Sequence, residues 1–446
     1  MEYIEFKELL FKKAKNSGFK ECEIYYNDKE SLSISIYEGE VEKYSLEKSK
    51  GVSFRGKINS KMGYSYTEIL DLKAVDMLIN NAKESLMSID TEDEEFIYEG
   101  DTHYSNTKTY NRELENLDPK FLIETAIQIE KEAKKYKEVI NIQSWKLVYN
   151  TLNKRINNSK HIDLNQKYNQ LMAYIVPVVG NEEEKEDGTG YIITRDIKNI
   201  DPSKIAQQGV ESALEKLNAK TIKSGKYKAI IHNEAMADLL ETFAQVFNAD
   251  VAQKKMSLLA DKENQIIGSN NLTIIDNPLL EDGVSSSSFD DEGVRTYKKE
   301  IVSKGKLNTL LYNLKTAKKA NKKSTGNGYK SSYKSAVNVD CTNLYIQEGN
   351  NSLQDLMNYI SEGVMITSLA GLHAGANAVS GDFSLAAKGF YIKEGKKQYP
   401  IEQITIAGNY FDLLKDIELI ANDTVFPLSN IGSPSVVIRD IAVAGK

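Results

Sequence analysis

Glu241 stands in the run Leu240-Glu241-Thr242-Phe243-Ala244-Gln245, on a stretch whose apolar spacing predicts a helix. A helix that activates water on zinc carries two imidazoles around a Glu, in the order H-E-x-x-x-H. The imidazoles hold the ion and the carboxylate takes a proton from its bound water. Here Leu240 and Gln245 occupy both imidazole positions. Leucine has no lone pair and a neutral carboxamide is a poor zinc ligand, so Glu241 has no metal-bound water to act on. These degenerate positions predict neither a catalytic residue nor a metal in this chain.

Other reactive residues have structural explanations. His232-Asn233-Glu234 with Asp238 sets a His and carboxylates at near-helical spacing, but Asn233 is a good N-cap and Glu234 in the first turn complements the helix dipole. Asp290-Asp291-Glu292-Gly293 lacks the alternating spacing of a calcium loop and predicts a tight turn. Ser324-Thr325-Gly326-Asn327-Gly328 lacks the following G-K-[S/T] of a phosphate loop and predicts a turn with glycine at positive φ. Ser285 to Ser288 have no His nearby in sequence and read as a linker. His373, among small residues ahead of Gly381, is either a satisfied loop histidine or a place where another backbone, such as a peptide strand, approaches.

The run Phe289-Asp290-Asp291-Glu292-Gly293-Val294 leads into KKEIVSKGKLNTLLYNLKTAKK and Ser324 to Gly328. Then come Val379-Ser380-Gly381-Asp382-Phe383-Ser384, GFYIKEGKKQYPIEQITIAGN from Gly389 to Asn409, and Gly432-Ser433-Pro434-Ser435. In order and spacing these resemble the TldD/PmbA family, historically called modulators of DNA gyrase and regarded as metalloproteases. The likeness is strongest from Lys226 onward. The TldD-like branch carries H-E-x-x-x-H and a late cysteine as third zinc ligand, whereas the tail here, NDTVFPLSNIGSP from Asn422 to Pro434, has none, and Cys341 lies far upstream. The chain therefore resembles the PmbA branch, also called TldE.

The resemblance implies a metal-free partner of a zinc-bearing TldD-like subunit, or a homodimer, with peptide substrates reached through the complex and zinc only in the partner. It also implies a C-terminal half that makes the dimer contact and bounds an enclosed cavity. His373, Gly381, Asp382 and Asn409, in or beside the matched runs, are candidates for the cavity or peptide-binding surface. Two alternatives are an autonomous peptidase homodimer using His232, His373, Asp290 and Asp291, and a protein that modulates DNA gyrase by binding.

The 446 residues predict two or three domains. The net charge is −7, with 57 basic and 64 acidic residues interspersed, so no basic stripe suggests direct nucleic-acid binding and no polybasic tail a membrane. Two distant cysteines, no apolar leader and no uninterrupted membrane span predict a soluble cytoplasmic protein, of bacterial or archaeal origin by the resemblance.

Phe6, Leu9, Leu10 and Ala14 predict a first helix, followed by an antiparallel meander punctuated by Gly39, Gly51, Gly56 and Gly63 and a helix capped by Asp71. The helix, meander, helix order recurs after Asp118-Pro119 and closes with the helix opened by Asp201-Pro202, suggesting a duplication. The acidic segment 90–116 reads as a long connection or lid, and Asn181 to Gly188 as a solvated loop tip. The fold class is α+β: units over 1–117 and 118–222, then a β-rich antiparallel domain over 223–446 with inserted helices.

Overall fold

The computed structural model describes residues 1–88 and 95–446. The first helix, Tyr3–Asn16, buries Phe6, Leu10 and Ala14. Behind it run three antiparallel strands, β1 (Glu21–Tyr37), β2 (Glu40–Ile58) and β3 (Lys61–Thr67), then the helix Leu72–Ser88, whose third N–H is accepted by the Asp71 carboxylate at 2.7 Å. The second unit repeats the order: a helix Pro119–Ala133 capped by Asp118, long strands β4 (Val139–Asn158) and β5 (Asp163–Gly180), short strands β6 (Lys185–Asp187) and β7 (Gly190–Thr194), and the helix Pro202–Leu214 capped by Asp201. The units meet where β1 pairs antiparallel with β4, so one continuous sheet runs β3-β2-β1-β4-β5 with β6 and β7 beyond β5.

Side-chain alternation gives this sheet two unlike faces. Ile24, Tyr26, Leu32, Ile34 and Ile36 of β1 face the helices and fill two apolar clusters, one for each unit. The intervening residues, Glu23, Tyr25 and Asn27, with Ser53 and Arg55 of β2, Lys154 of β4 and Gln166 of β5, make a polar face. The C-terminal domain covers part of it. Gly51 and Gly56 do not interrupt β2 as their spacing suggested. A Cβ at Gly51 would lie 2.5 Å from the Tyr333 ring and one at Gly56 2.5 Å from Phe19, so both glycines admit a neighbouring ring into an unbroken strand.

In the C-terminal domain the strands Lys396–Asn409, Asp382–Lys393, Glu362–Ala370, Gly225–Ile231 and Val436–Ala444 pair in that order. Thr405–Ala407 pairs back onto Ala442–Ala444, so the ring of strands closes. All these pairs are antiparallel except Val364–Ile366 with Ala229–Ile231, which is parallel. One face of the ring packs on the helix Asn233–Phe243 and the other on the helix Leu353–Ile360.

The connection after the first unit is anchored over its described part, 95–116. Ile97 is buried, the Tyr104 hydroxyl donates to the Gly293 carbonyl at 2.8 Å, and Asp101 accepts the Arg295 N–H at 2.8 Å. Residues 90–94 of the proposed lid lie outside the described residues. The acidic stretch from Asn181 to Gly188 is a loop tip only in part. Glu186, in β6, is buried and receives the Lys388 ammonium at 2.7 Å, tying the second unit to the C-terminal domain.

The main tie between the domains is the turn Asp290-Asp291-Glu292-Gly293. Asp290 accepts the N–H groups of Glu292, Val294 and Gly328 at 2.9–3.0 Å and so fixes the turn. Asp291 accepts the Lys330 N–H at 2.9 Å and the Lys154 ammonium of β4 at 3.0 Å. Lys154 also donates to the Phe289 carbonyl at 3.2 Å and sits over its ring. Both ends of this ion pair are buried, so removing one strands the other charge. Lys154→Ala is expected to cost about 3–5 kcal/mol of stability, read from urea unfolding; a loss within the range of a surface substitution would contradict this account of the seam.

Candidate functional site

The helix Asn233–Phe243 begins one residue earlier than a cap at Asn233 would place it: His232 is the extended N-cap residue. The Asn233 side chain accepts the Glu234 N–H at 2.7 Å and donates to the Asp423 carbonyl at 2.8 Å, and the Asn233 N–H reaches the Ser435 hydroxyl at 3.1 Å. The helix start is thus bolted to the C-terminal tail. Farther along that tail, the short strand Ile431–Gly432 lies against the same helix. The structure therefore joins the two segments that would have to supply zinc ligands.

Their side chains do not suit the ion. Leu240 is 0 % exposed within the main apolar cluster, beside Met236, Leu239 and Phe243, whose ring stacks on Tyr410 at 4.3 Å. Glu241 is exposed, and Gln245 is exposed on the 3₁₀ turn Ala244–Phe247 after the helix has ended. The three positions therefore do not converge, and Leu240 is enclosed by hydrocarbon where a ligand would need a lone pair.

Cys341, distant in sequence from the tail, is near it in space: its Sγ is 4.0 Å from the Asn430 amide nitrogen. Burial, with Asp276 and Asp340 adding to it, pushes the thiol well up, away from the thiolate a metal requires. Among the described residues no group of three or more His, Cys, Asp and Glu is placed to hold a metal ion.

The remaining candidates separate. Gly381, Asp382 and Asn409 meet where the Asp382–Lys393 and Lys396–Asn409 strands pair at their ends. The Asn409 carboxamide donates to the Ser380 carbonyl and the Asp382 carboxylate, both at 2.9 Å, and accepts the Phe411 N–H at 3.0 Å, capping the helix Tyr410–Lys415. Gly381 has φ +84° and a Cβ there would meet the Phe411 ring at 2.6 Å, so only glycine fits. Hydrogen bonds from Asn409 and Ser380 hold the exposed Asp382 carboxyl below the usual carboxylate range. His373 is exposed on the short helix Leu372–Gly375. Asp238, flanked by Glu234 and Glu241, is pushed up to about 6 by burial and then by those two charges.

Two clefts open along the seam between the polar sheet face and the C-terminal domain. One, of about 780 Å³, is lined by Arg55, Tyr64, Tyr66, Glu95, Glu292 and Lys330 among others. The second, of about 700 Å³, runs between Tyr25, Asn27, Lys154, Gln170 and the Ser285–Ser287 and Tyr329–Ser332 segments. Two buried donors on their walls, Arg55 Nη2 and Gln170 Nε2, have no hydrogen-bond partner among the described residues. Burial opposes the charge on Arg55, but Glu23, at 2.7 Å, and Glu292 hold it firmly ionised. Burial, and then the nearby Arg55, brings the Lys330 ammonium down to about 8. The clefts are lined by aromatic, hydroxyl, amide and charged side chains of both signs. Alternation along β1, β2 and β4 was the available signal for these residues, but it marks a polar face without saying that another domain covers it.

Burial pushes the Glu292 carboxyl up to about 7, against the opposing Arg55 guanidinium and the Leu314 N–H. Below the ordinary carboxylate pKa both folded and unfolded chains hold this proton. As pH rises toward 7 only the unfolded chain releases it freely, so stability falls until the folded carboxyl has also ionised. Between pH 6 and 8 this group is expected to remove on the order of 1 kcal/mol, and Glu292→Gln should flatten that part of the profile. An unchanged slope in unfolding midpoints would contradict the assignment.

The profile of the PmbA/TldA metallopeptidase C-terminal domain matches residues 224–445, that of domain 1 residues 22–86, and that of the central domain residues 112–217. A metalloprotease PmbA homolog of Buchnera aphidicola subsp. Baizongia pistaciae is 32% identical over 269 residues, 60% of this chain and 57% of that relative's length. The crystal structure of a candidate modulator of a DNA gyrase from Thermotoga maritima superposes with TM-score 0.93 at 30% identity, covering 99% of this chain and 100% of that one. TldE from Thermococcus kodakarensis shares the fold, with TM-score 0.89 at 22% identity over 99% and 100% of the two chains. No helix among the described residues is long and apolar enough to cross a membrane.

Proposed function

This chain belongs to the PmbA/TldD metallopeptidase family, and on that premise we propose that it is a PmbA/TldE-like subunit, without zinc of its own, that completes the peptide-processing cavity of a TldD-like partner. The observation that carries the reading is the seat of Leu240. A ligand position filled by leucine and sealed in the apolar cluster has neither the donor nor the access that a zinc-bound water needs. Glu241 is left as an exposed charge on the helix.

What the chain offers a peptide is wall. The two clefts present hydroxyl, amide and aromatic groups with buried charges at their base, able to hold an extended backbone by hydrogen bonds and stacking. The chemistry, zinc-activated attack of water on a peptide bond, would come from the partner. The chain's own residues would orient the strand and limit water.

Purified alone, the chain should contain no stoichiometric zinc by mass spectrometry of metals and should not hydrolyse unfolded peptides. Mixed with a TldD-like chain, the complex should contain one zinc per TldD-like chain. One zinc per chain in the isolated protein, together with peptidase activity that a chelator abolishes, would overturn the proposal.

A further inference from the structure

Among the described residues the two clefts share a single wall residue, Lys330. It follows the short strand Gly328–Tyr329, and the Asp291 carboxylate accepts its N–H at 2.9 Å, which fixes the backbone from which the side chain leaves. The half-buried side chain donates to the Ser53 hydroxyl at 3.0 Å, and its ammonium sits 4.7 Å from the centre of the Tyr25 ring. A hydroxyl carries no countercharge and a ring offers only its quadrupole, so both compensate weakly for a cation held in a seam. Among the described residues no carboxylate lies within ion-pair distance of this ammonium.

The acids around it are engaged elsewhere. Glu23 of β1 accepts from Arg55 of β2, and Asp291 accepts from Lys154 of β4. Asp290 accepts backbone N–H groups, and burial, then the charge of Glu292, pushes its carboxyl well up. Burial brings Glu292 up to about 7, and Glu95 accepts the Tyr64 hydroxyl. Arg55 and Lys154 thus each have an acid in contact, and Lys330 is the cation of this seam that has none among the described residues.

We propose that Lys330 is the point at which the clefts take a carboxylate of a bound peptide, either its C-terminal group or an acidic side chain. The inference rests on the reading of this chain as the wall of a peptide cavity and adds what that wall selects. A carboxylate there would make a charge-assisted hydrogen bond, stronger than the one to Ser53, and would supply the missing countercharge. Arg55, whose charge loosens the hold of Lys330 on its proton, attracts the same carboxylate. The free ammonium, brought down to about 8 by burial and then by Arg55, would keep its proton to higher pH once the carboxylate is bound.

The test is binding to the whole chain, with no second subunit, by fluorescence anisotropy of a short N-dansylated peptide of Ala, Ser and Tyr. The peptide is made as the C-terminal acid, as the C-terminal amide, and as the amide with one central Glu. At least one carboxylate form is expected to bind about tenfold tighter than the plain amide. Preference for the acid identifies the chain end as the docked group, and preference for the Glu form identifies a side chain. In Lys330→Gln the advantage should disappear. Equal affinity of all three forms, or an advantage that survives in the variant, overturns the proposal and leaves the wall reading in place. Absence of binding by every form overturns both. A second readout uses only the wild type, so a variant that fails to fold does not protect the proposal. Above pH 8, where Glu292 has already ionised, affinity for the preferred carboxylate form should fall, approaching about tenfold per pH unit, because the proton lost from the free ammonium must be regained on binding. The plain amide should show no such fall, and a flat profile for the carboxylate form also overturns the proposal.

Discussion

The polar face of the N-terminal sheet has to be covered without leaving its charges unpaired, and the rest of the structure follows from how this is met. Burying an ion costs several kcal/mol unless a partner and further hydrogen bonds compensate. Lys154 meets Asp291, Arg55 meets Glu23 and lies near Glu292, and Lys330 reaches the Ser53 hydroxyl at 3.0 Å. One turn supplies two of these acids. Its third, Asp290, holds the turn in shape through backbone N–H groups. Gly328 lets the Glu292 carboxylate pack close, since a Cβ there would lie 2.5 Å from it. The motif runs that looked like metal or phosphate loops are thus the clasp between two domains, and the clefts are the spaces on either side of it.

A second buried network supports this clasp. Asp276 is fully enclosed, and its two oxygens receive the Lys299 ammonium at 2.9 Å, the Asn327 carboxamide at 2.9 Å and both the N–H and hydroxyl of Thr342. Asn327 belongs to the run Ser324 to Gly328, where Gly326 takes φ +71° as the turn requires. The glycines and small polar residues of this region are explained by satisfied hydrogen bonds and close backbone approach.

Much of this was legible in the residues themselves. The caps at Asp71, Asp118 and Asp201 and the apolar spacing of the N-terminal helices located those elements, because capping and helical periodicity are local. That Leu240 and Gln245 are poor zinc donors can be read from residue type alone, since donor chemistry is a property of the side chain. Properties that depend on neighbours distant in the chain were not legible. Glu186 looked solvated until Lys388 met it, Gly51 and Gly56 looked like breaks until Tyr333 and Phe19 lay over them, and Cys341 looked remote from a tail it nearly touches. Arg55 and Lys330 were hidden for the same reason: a polar strand face reads alike whether water or another domain covers it.

The closed ring of the C-terminal domain has a consequence for how the chain is made. The strand Gly225–Ile231 lies between Glu362–Ala370 and Val436–Ala444, so both its neighbours are synthesised long after it. Pairings so distant in sequence form slowly, because the intervening chain must be ordered before the contacts stabilise it. During translation the N-terminal sheet can complete itself while the apolar segment Ala229–Ile231 still waits for its last companion. Val436–Ala444 must emerge from the ribosome before that segment is shielded, so the newborn C-terminal half exposes apolar surface for a chaperone to hold.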